Sequence, residues 1–411
     1  MRLANPGCRA VPVGGCAAIS SIAANAVAQV NLRIFRTQYI RIGPMYTRIV
    51  LLVRWVRNCA VAALAASLAV AAEGLPPRKE IAAAMRRVNA WQISHPAMPA
   101  DDRNWERATW YTGVMAAWKA TSDRSYLDQA LAWGRQHAWQ VGTEPDGANR
   151  LFCVETWAEL YFHEKDRRMI QPAVAWLDTR DPRSPAGGQK RWYLENNRVY
   201  VDSLYGASAL AMLARATGDS RYYGILHEFF DDVTAELLDP EAGLYYRDNR
   251  FIGQRTPNGR KIFWARGNGW AFAGIARILE YLPRNDPRRP QYVEIYRRLA
   301  LELVKRQSAD GLWRTSLDDP ETLPEPETSG TGFFCYGLAW GINHALLERK
   351  EYYVPAVKAF RGLLESVSPE GKVQWGQPVG DQPRAVHRES THEYVTGTFL
   401  LAASEMYRLR H

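Results

Sequence analysis

Cysteine is scarce in this chain, and its placement excludes most of what it could do. Of five Cys in 411 residues, Cys8, Cys16 and Cys59 lie within the first 72. Only Cys153 and Cys335 remain, both in apolar, helix-like surroundings, so buried free thiols are expected rather than a disulfide framework. No C-x-x-C occurs, and the eight His show no close ligand spacing, so neither a metal nor any other cofactor is expected. Acidic residues are absent from 1–72, which carry eight Arg and no Lys. Taking those eight from the 52 basic side chains leaves 44 against 43 acidic ones. The formal charge of +9 therefore belongs to this leader, and no nucleic-acid partner is implied. Long apolar runs are missing as well, since Cys59 to Val70 is too short to span a bilayer comfortably.

The leader reads as an export signal. Downstream of Met45, a plausible start, Arg48, Arg54 and Arg57 precede the apolar stretch, and Ala69-Val70-Ala71 forms a small-residue cleavage pattern. Cleavage after Ala71 is expected, which gives a leader over 1–72, a folded domain over 73–411, and a periplasmic or extracellular product. The alternative is a membrane-anchored N-terminus with a cytoplasmic tail. No membrane contact beyond export is expected.

What the sequence has in quantity is repetition. RATWYTGVMAAWKATSDRSYLDQALAWGRQH (107–137) and VDSLYGASALAMLARATGDSRYYGILHEFFDDV (201–233) share one plan. Each has a helix rich in aromatic and small residues, a turn ending in Asp, and a second, amphipathic helix. Weaker copies start near 152, 264 and 331, and a last helix over 393–409 would pair with a first over 80–93. Six helical hairpins follow, at a period of 45–65 residues. Gly and Ala crowd the opening helices (Gly113, Gly206, Gly274, Gly337), which allows close approach, and the last helix completes the first hairpin. An all-α closed ring is therefore predicted, rather than an open solenoid for protein binding. Long polar connections at 140–150, 180–200, 239–263, 308–330 and 368–392 precede the inner helices, where sites are commonly built.

Aromatic residues gather at those junctions. Trp110-Tyr111, Trp192-Tyr193, Tyr200, Trp264 and Trp270 are expected to face the mouth of the ring and to offer flat apolar faces to a sugar. In Trp264-Ala265-Arg266-Gly267-Asn268-Gly269-Trp270, Arg266 and Trp270 are four apart and share a helix face. An Arg beside two indoles suits a carboxylate on a sugar ring; equally, it could be structural, stacked on Trp and paired with a core acid. Asp202, in Tyr200-Val201-Asp202-Ser203, is the one acid at its junction. It reads either as a helix N-cap or as a proton-transfer group, and burial would have to raise its pKa for the second role. Ser390 and Glu393 have capping-box spacing, which leaves His392 at the mouth or on the surface.

These motifs, with LDPEAGLYYRDNRF (238–251), PETSGTGFFCYGLAWGIN (326–343) and YVTGTFLLAASEMYRL (394–409), resemble glycoside hydrolase families 88 and 105, more closely the latter, from about residue 75 onward. The resemblance implies an (α/α)6 barrel acting on lyase-generated oligosaccharides that end in an unsaturated uronic acid. Such enzymes hydrate the C4=C5 bond instead of attacking the glycosidic carbon. It implies Asp202 as the general acid/base and Trp264, Arg266 and Trp270 as the wall for the unsaturated ring, with Tyr111 and Tyr200 in weaker roles. A single acid suits hydration, whereas ordinary glycosidases use a carboxyl pair. Two departures touch the pocket. Asn149-Arg150 stands where many relatives have an acid, and Arg247 where some have His, so Asn149, Arg247 and His392 join the candidate substrate contacts. Two alternatives keep the same scaffold: an oligosaccharide-binding protein without turnover, and a sugar epimerase, which needs a pair of His. The chain is expected to work as a monomer or weak dimer.

Overall fold

Two alternating kinds of helix build the molecule. In the computed structural model, residues 74–145, 147–180, 192–194 and 198–409 are described. The expected export segment, with its expected start at Met45 and cleavage after Ala71, lies outside them. The helices are α1 (Arg78–Ser94), α2 (Trp105–Thr121), α3 (Arg124–Gln136), α4 (Phe152–Glu164), α5 (Gln171–Asp178), α6 (Ser203–Gly206), α7 (Ser208–Thr217), α8 (Arg221–Leu237), α9 (Ala265–Tyr281), α10 (Arg289–Lys305), α11 (Thr328–Asn343), α12 (Arg349–Glu365) and α13 (Glu393–Arg408). Only isolated bridges, and no ladder of strands, occur among the described residues.

The sequence explains why the helices alternate. In α8 the buried positions are Tyr222, Ile225, Leu226, Phe229, Phe230, Val233 and Leu237, one stripe at helical spacing. Helices α9 and α11 are instead buried almost all round, because each has neighbours on every side. Turn chemistry punctuates the hairpins. Ser122 (φ 59°) and Gly218 (φ 78°) end α2 and α7 in the left-handed region. The next residue, Asp123 or Asp219, then accepts from the backbone N–H of Ser125 (3.1 Å) or Arg221 (2.9 Å) to start the following helix. The third inner helix, expected to be continuous, breaks at Ala207, whose carbonyl accepts the Leu210 N–H in a tighter three-residue turn.

The inner helices pack in the cyclic order α2, α4, α7, α9, α11, α13 and back to α2, with α1 outside the closing pair, so the ring closes as predicted. Closure depends on glycine. A Cβ on Gly113 would lie 2.5 Å from the Gly397 carbonyl oxygen, and one on Gly397 would lie 2.2 Å from that of Thr109. Gly397→Ala should therefore cost about 3 kcal/mol by forcing α2 and α13 apart. A denaturant midpoint equal to that of the parent would refute this close-contact reading.

A buried ion pair latches the same seam. Arg107 on α2 donates to both Glu393 oxygens (2.9 and 2.7 Å), and Glu393 also accepts the Ala97 and Met98 N–H groups at 3.0 Å each. The capping-box expectation for Ser390 and Glu393 thus gives way to a cross-ring role. His392 is the residue before α13, and no side chain caps that helix. Cys153 and Cys335 are free and buried.

Candidate active site

At the N-terminal ends of the inner helices lies a cavity of about 420 Å³. Its wall takes Trp105 from the start of α2, Asn149 from the turn before α4, Asp202 from just before α6, and Trp264, Arg266 and Trp270 from the start of α9. Arg247, Asp248 and Arg250 come from the α8–α9 connection, and Val379, Gly380 and Asp381 from the one before α13.

Backbone pairing fixes the centre. Asn268, the Asn of the Trp264–Trp270 motif, grips Tyr245 by both backbone groups, accepting its N–H at 2.8 Å and donating to its carbonyl at 2.9 Å. The next turn of chain is tied to the Asp202 segment: Tyr200 pairs with Asp248, and the Val201 N–H bonds the Arg247 carbonyl at 2.9 Å. Arg247 is thereby delivered to Asp202, whose Oδ2 accepts its Nε–H at 2.8 Å, while Nη1 donates to Asp248 at 2.9 Å. Asp202 caps no helix: its backbone is already helical, and its side chain accepts no backbone N–H at the start of α6. Oδ1 is buried and has no hydrogen-bond partner among the described residues. Burial pushes this carboxyl above its ordinary pKa; the guanidinium groups of Arg247 and Arg266 pull the other way without winning.

The other cavity carboxylates have partners. Asp248 takes Arg247 and Arg250, and although burial opposes it, those hydrogen bonds hold its pKa below the usual range. Asp381 pairs with Arg250 at 2.8 Å. Glu144 accepts from Asn149 Nδ2 (2.7 Å) and from the Trp105 N–H (3.3 Å).

Of the site residues expected from sequence, Asp202, Trp264, Arg266, Trp270, Tyr200, Asn149 and Arg247 all line the cavity. Their surroundings refine several expectations. Arg266 stacks on Trp264 and Tyr394 and donates to the Gln377 (2.6 Å) and Pro378 (2.9 Å) carbonyls. It thus holds the 377–381 loop, and among the described residues it pairs with no core acid. Trp264 Nε1–H donates to Gln377 Oε1 at 2.7 Å on the same loop. Trp270, 3% exposed, is packed edge-on among Trp105, Phe152 and Tyr205, and forms floor rather than a free stacking face. Tyr200 reaches Asn149 with its hydroxyl (3.4 Å) and carries Arg247 over its ring.

Tyr111 and His392 are corrections, since neither lines the cavity. Helix α2 starts at Trp105, earlier than expected, so Tyr111 falls nearly two turns inside it and stacks on Trp133 of α3 at 3.9 Å. Its neighbour Trp110 donates to Asn89 of α1. His392 stacks on Tyr394, with ring centroids 4.8 Å apart, and burial lowers its pKa. Trp192 and Tyr193 also turn away, toward Trp176 and Phe229.

Sequence reasoning missed Trp105 and Glu144. Asn104 before an apolar helix was the available start signal for Trp105. Glu144 lies in the polar 140–150 connection, where no periodicity tells which side chain turns inward.

The family model of Glycosyl Hydrolase Family 88 matches residues 78–410. An unsaturated 3S-rhamnoglycuronyl hydrolase of Formosa agariphila is 31% identical over 85% of this chain and 97% of its own. One of the same name from an Alteromonas species is 32% identical over 76% of this chain and 79% of its own. The solved structure of a family 88 glycosyl hydrolase from Bacteroides vulgatus superposes with TM-score 0.73 at 29% identity, over 82% of this chain and 100% of that one. Of the two families the sequence resembles, the one whose model matches is family 88, and its solved member shares the all-α fold of this chain. The chain belongs to glycosyl hydrolase family 88 and is a glycoside hydrolase.

Proposed function

We propose that this enzyme releases a terminal 4,5-unsaturated uronic acid from lyase-generated oligosaccharides by hydrating the C4=C5 bond, with Asp202 as the single acid and base. The observation that carries the mechanism is the asymmetry of the Asp202 carboxyl. Arg247 holds Oδ2, which can only accept there, so the proton resides on Oδ1, which has no hydrogen-bond partner among the described residues. Oδ1–H gives its proton to C4, and the ring oxygen shares the positive charge that forms at C5. The carboxylate then takes a proton from water as that water bonds to C5. The hemiketal opens to a C5 ketone, the ring oxygen picks up a proton, and the C1 hemiacetal expels the second sugar. One water is consumed and Asp202 ends protonated, as it began. A two-carboxyl glycosidase mechanism finds less support, because Glu144, Asp248 and Asp381 are each held by hydrogen bonds or ion pairs. A sugar epimerase finds none, since no histidine among the described residues lines the cavity.

The conjugated enol-ether carboxylate absorbs in the near ultraviolet. Incubation with unsaturated disaccharides from rhamnogalacturonan, ulvan and glycosaminoglycan lyases should abolish that band for at least one of them. No change with any member of the set would refute the reading, and tight binding without turnover would mark a binding protein.

A pH profile tests the role of Arg247. The free enzyme needs Asp202 protonated, so kcat/KM should fall as pH rises through its elevated pKa. Arg247→Gln removes a charge that lowers that pKa, and should move the fall to higher pH. An unmoved limb would assign it to another group. Export completes the proposal: protein recovered from the periplasm or medium should begin near residue 72, and an intact leader there would contradict it.

A further inference from the structure

Four arginines line the cavity, and three of them are engaged. Arg247 bridges Asp202 and Asp248, Arg250 bridges Asp248 and Asp381, and Arg266 holds two loop carbonyls. Arg198, four residues before Asp202 and half-buried, lines the same cavity, yet its side chain has no hydrogen-bond or ion-pair partner among the described residues. Opposite the four guanidinium groups stand four carboxyl groups, those of Glu144, Asp202, Asp248 and Asp381. With the proton on Asp202, as the first chemical step requires, the cavity carries one positive charge in excess. A half-buried, unpaired charge is costly, and a ligand of opposite sign relieves that cost.

We propose that Arg198 is the residue that reads the carboxylate of the substrate's unsaturated uronic acid. This rests on the reading of the chain as an unsaturated uronyl hydrolase. The carboxylate is bonded to C5, one atom from the carbon that receives the proton, so it must lie beside the Asp202 carboxyl. A cation is needed there, since two like charges would otherwise meet in a partly desolvated space. Sequence alone pointed to Arg266 for this task, but Arg266 already donates to the Gln377 and Pro378 carbonyls, to Ser329 Oγ and to the Tyr394 hydroxyl. The charge balance fits a single anion. A substrate that also placed a sulfate in this cavity would bring it to a net negative charge. An anion at Arg198 also favours the protonated form of Asp202, so binding would prepare the acid.

The test compares one unsaturated uronyl disaccharide as free acid and as methyl ester, both of which retain the ultraviolet chromophore. Wild type should prefer the acid. Arg198→Gln should lose roughly 10- to 100-fold in kcat/KM on the acid, chiefly through KM, and little on the ester. Arg198→Lys should recover much of the loss. Equal turnover of acid and ester by wild type would overturn the assignment. So would equal losses on both substrates, or an effect confined to a sulfated disaccharide. If wild type turns over neither compound, the hydrolase reading fails by itself. Tryptophan-fluorescence binding of acid and ester to Asp202→Asn, with and without Arg198→Gln, then decides the role of Arg198. An acid preference that vanishes with Gln supports it, and one that persists overturns it.

Discussion

Asp202→Asn should reduce kcat by about 10²- to 10⁴-fold while leaving the fold intact. The amide oxygen can still accept the Arg247 Nε–H that now reaches Oδ2, so the link between the 200–202 and 245–248 segments survives. What disappears is the proton on Oδ1 and the carboxylate that later takes one from water. The stability effect should be small and can be favourable. The folded protein raises this pKa, so the protonated form is the one it tolerates. The contribution of the group is therefore intact at low pH and is lost as pH rises through the folded pKa. A neutral amide escapes that loss, so the melting temperature of the variant should equal or exceed that of wild type, most visibly at alkaline pH. Measured side by side, melting curves and turnover separate this outcome from misfolding. Full activity in the variant would remove Asp202 from the chemistry.

The second large effect concerns stability, at the other end of the ring. Arg277 lies twelve residues along α9 from Ala265, about 18 Å deeper at helical rise. It pairs with Glu155 and, at 3.2 Å, with Glu159, both on α4; Lys119 of α2 and Tyr281 also reach Glu159, at 2.8 and 3.0 Å. These side chains join three inner helices through the middle of the ring, and Arg277, Glu155 and Glu159 are almost wholly buried. Arg277→Leu should cost about 3–5 kcal/mol, because it strands charge that cannot reach water. The loss should depend on pH. Burial already pushes Glu155 up to about 7 with Arg277 present, whereas the neighbouring cations hold Glu159 low despite its burial. A carboxyl with a raised folded pKa is tolerated when protonated, so its share of stability is present at low pH and lost as pH passes about 7. The variant should therefore lose more at pH 8 than at pH 6, by denaturant unfolding. A loss independent of pH would show that packing, not charge, governs this contact.

The ring was legible in the sequence because its cause repeats. The two clearest hairpins share an Asp-ended turn and an opening helix of small residues, and Gly113 and Gly397 show at 2.5 and 2.2 Å why nothing larger fits the closing pair. Asp202 and the Trp264–Trp270 motif were legible because they lie where a connection meets an inner helix, whereas Arg247, midway along the α8–α9 connection, was singled out only by the family resemblance. Tyr111 was misplaced because hydrophobic pattern locates a helix better than it locates its first residue; an earlier start at Trp105 turned Tyr111 toward α3. Arg266 was rightly put at the wall, but its shortest hydrogen bonds, to the Gln377 and Pro378 carbonyls more than a hundred residues away, leave no trace in local spacing. Glu144 and Arg198 stand in irregular polar connections, where neither period indicates which side chain turns inward. Only the folded positions of Asn149, Asp202 and Arg247 give them a role.

The claim that separates this enzyme from an ordinary glycosidase is that chemistry begins at the double bond. A single reaction, followed at once by loss of the near-ultraviolet band and by release of the second sugar, tests it most directly. Hydration by Asp202 predicts that the band disappears with, or ahead of, sugar release, and that Asp202→Asn slows both together. Sugar released while the band persists would place the attack at the glycosidic carbon and contradict the mechanism.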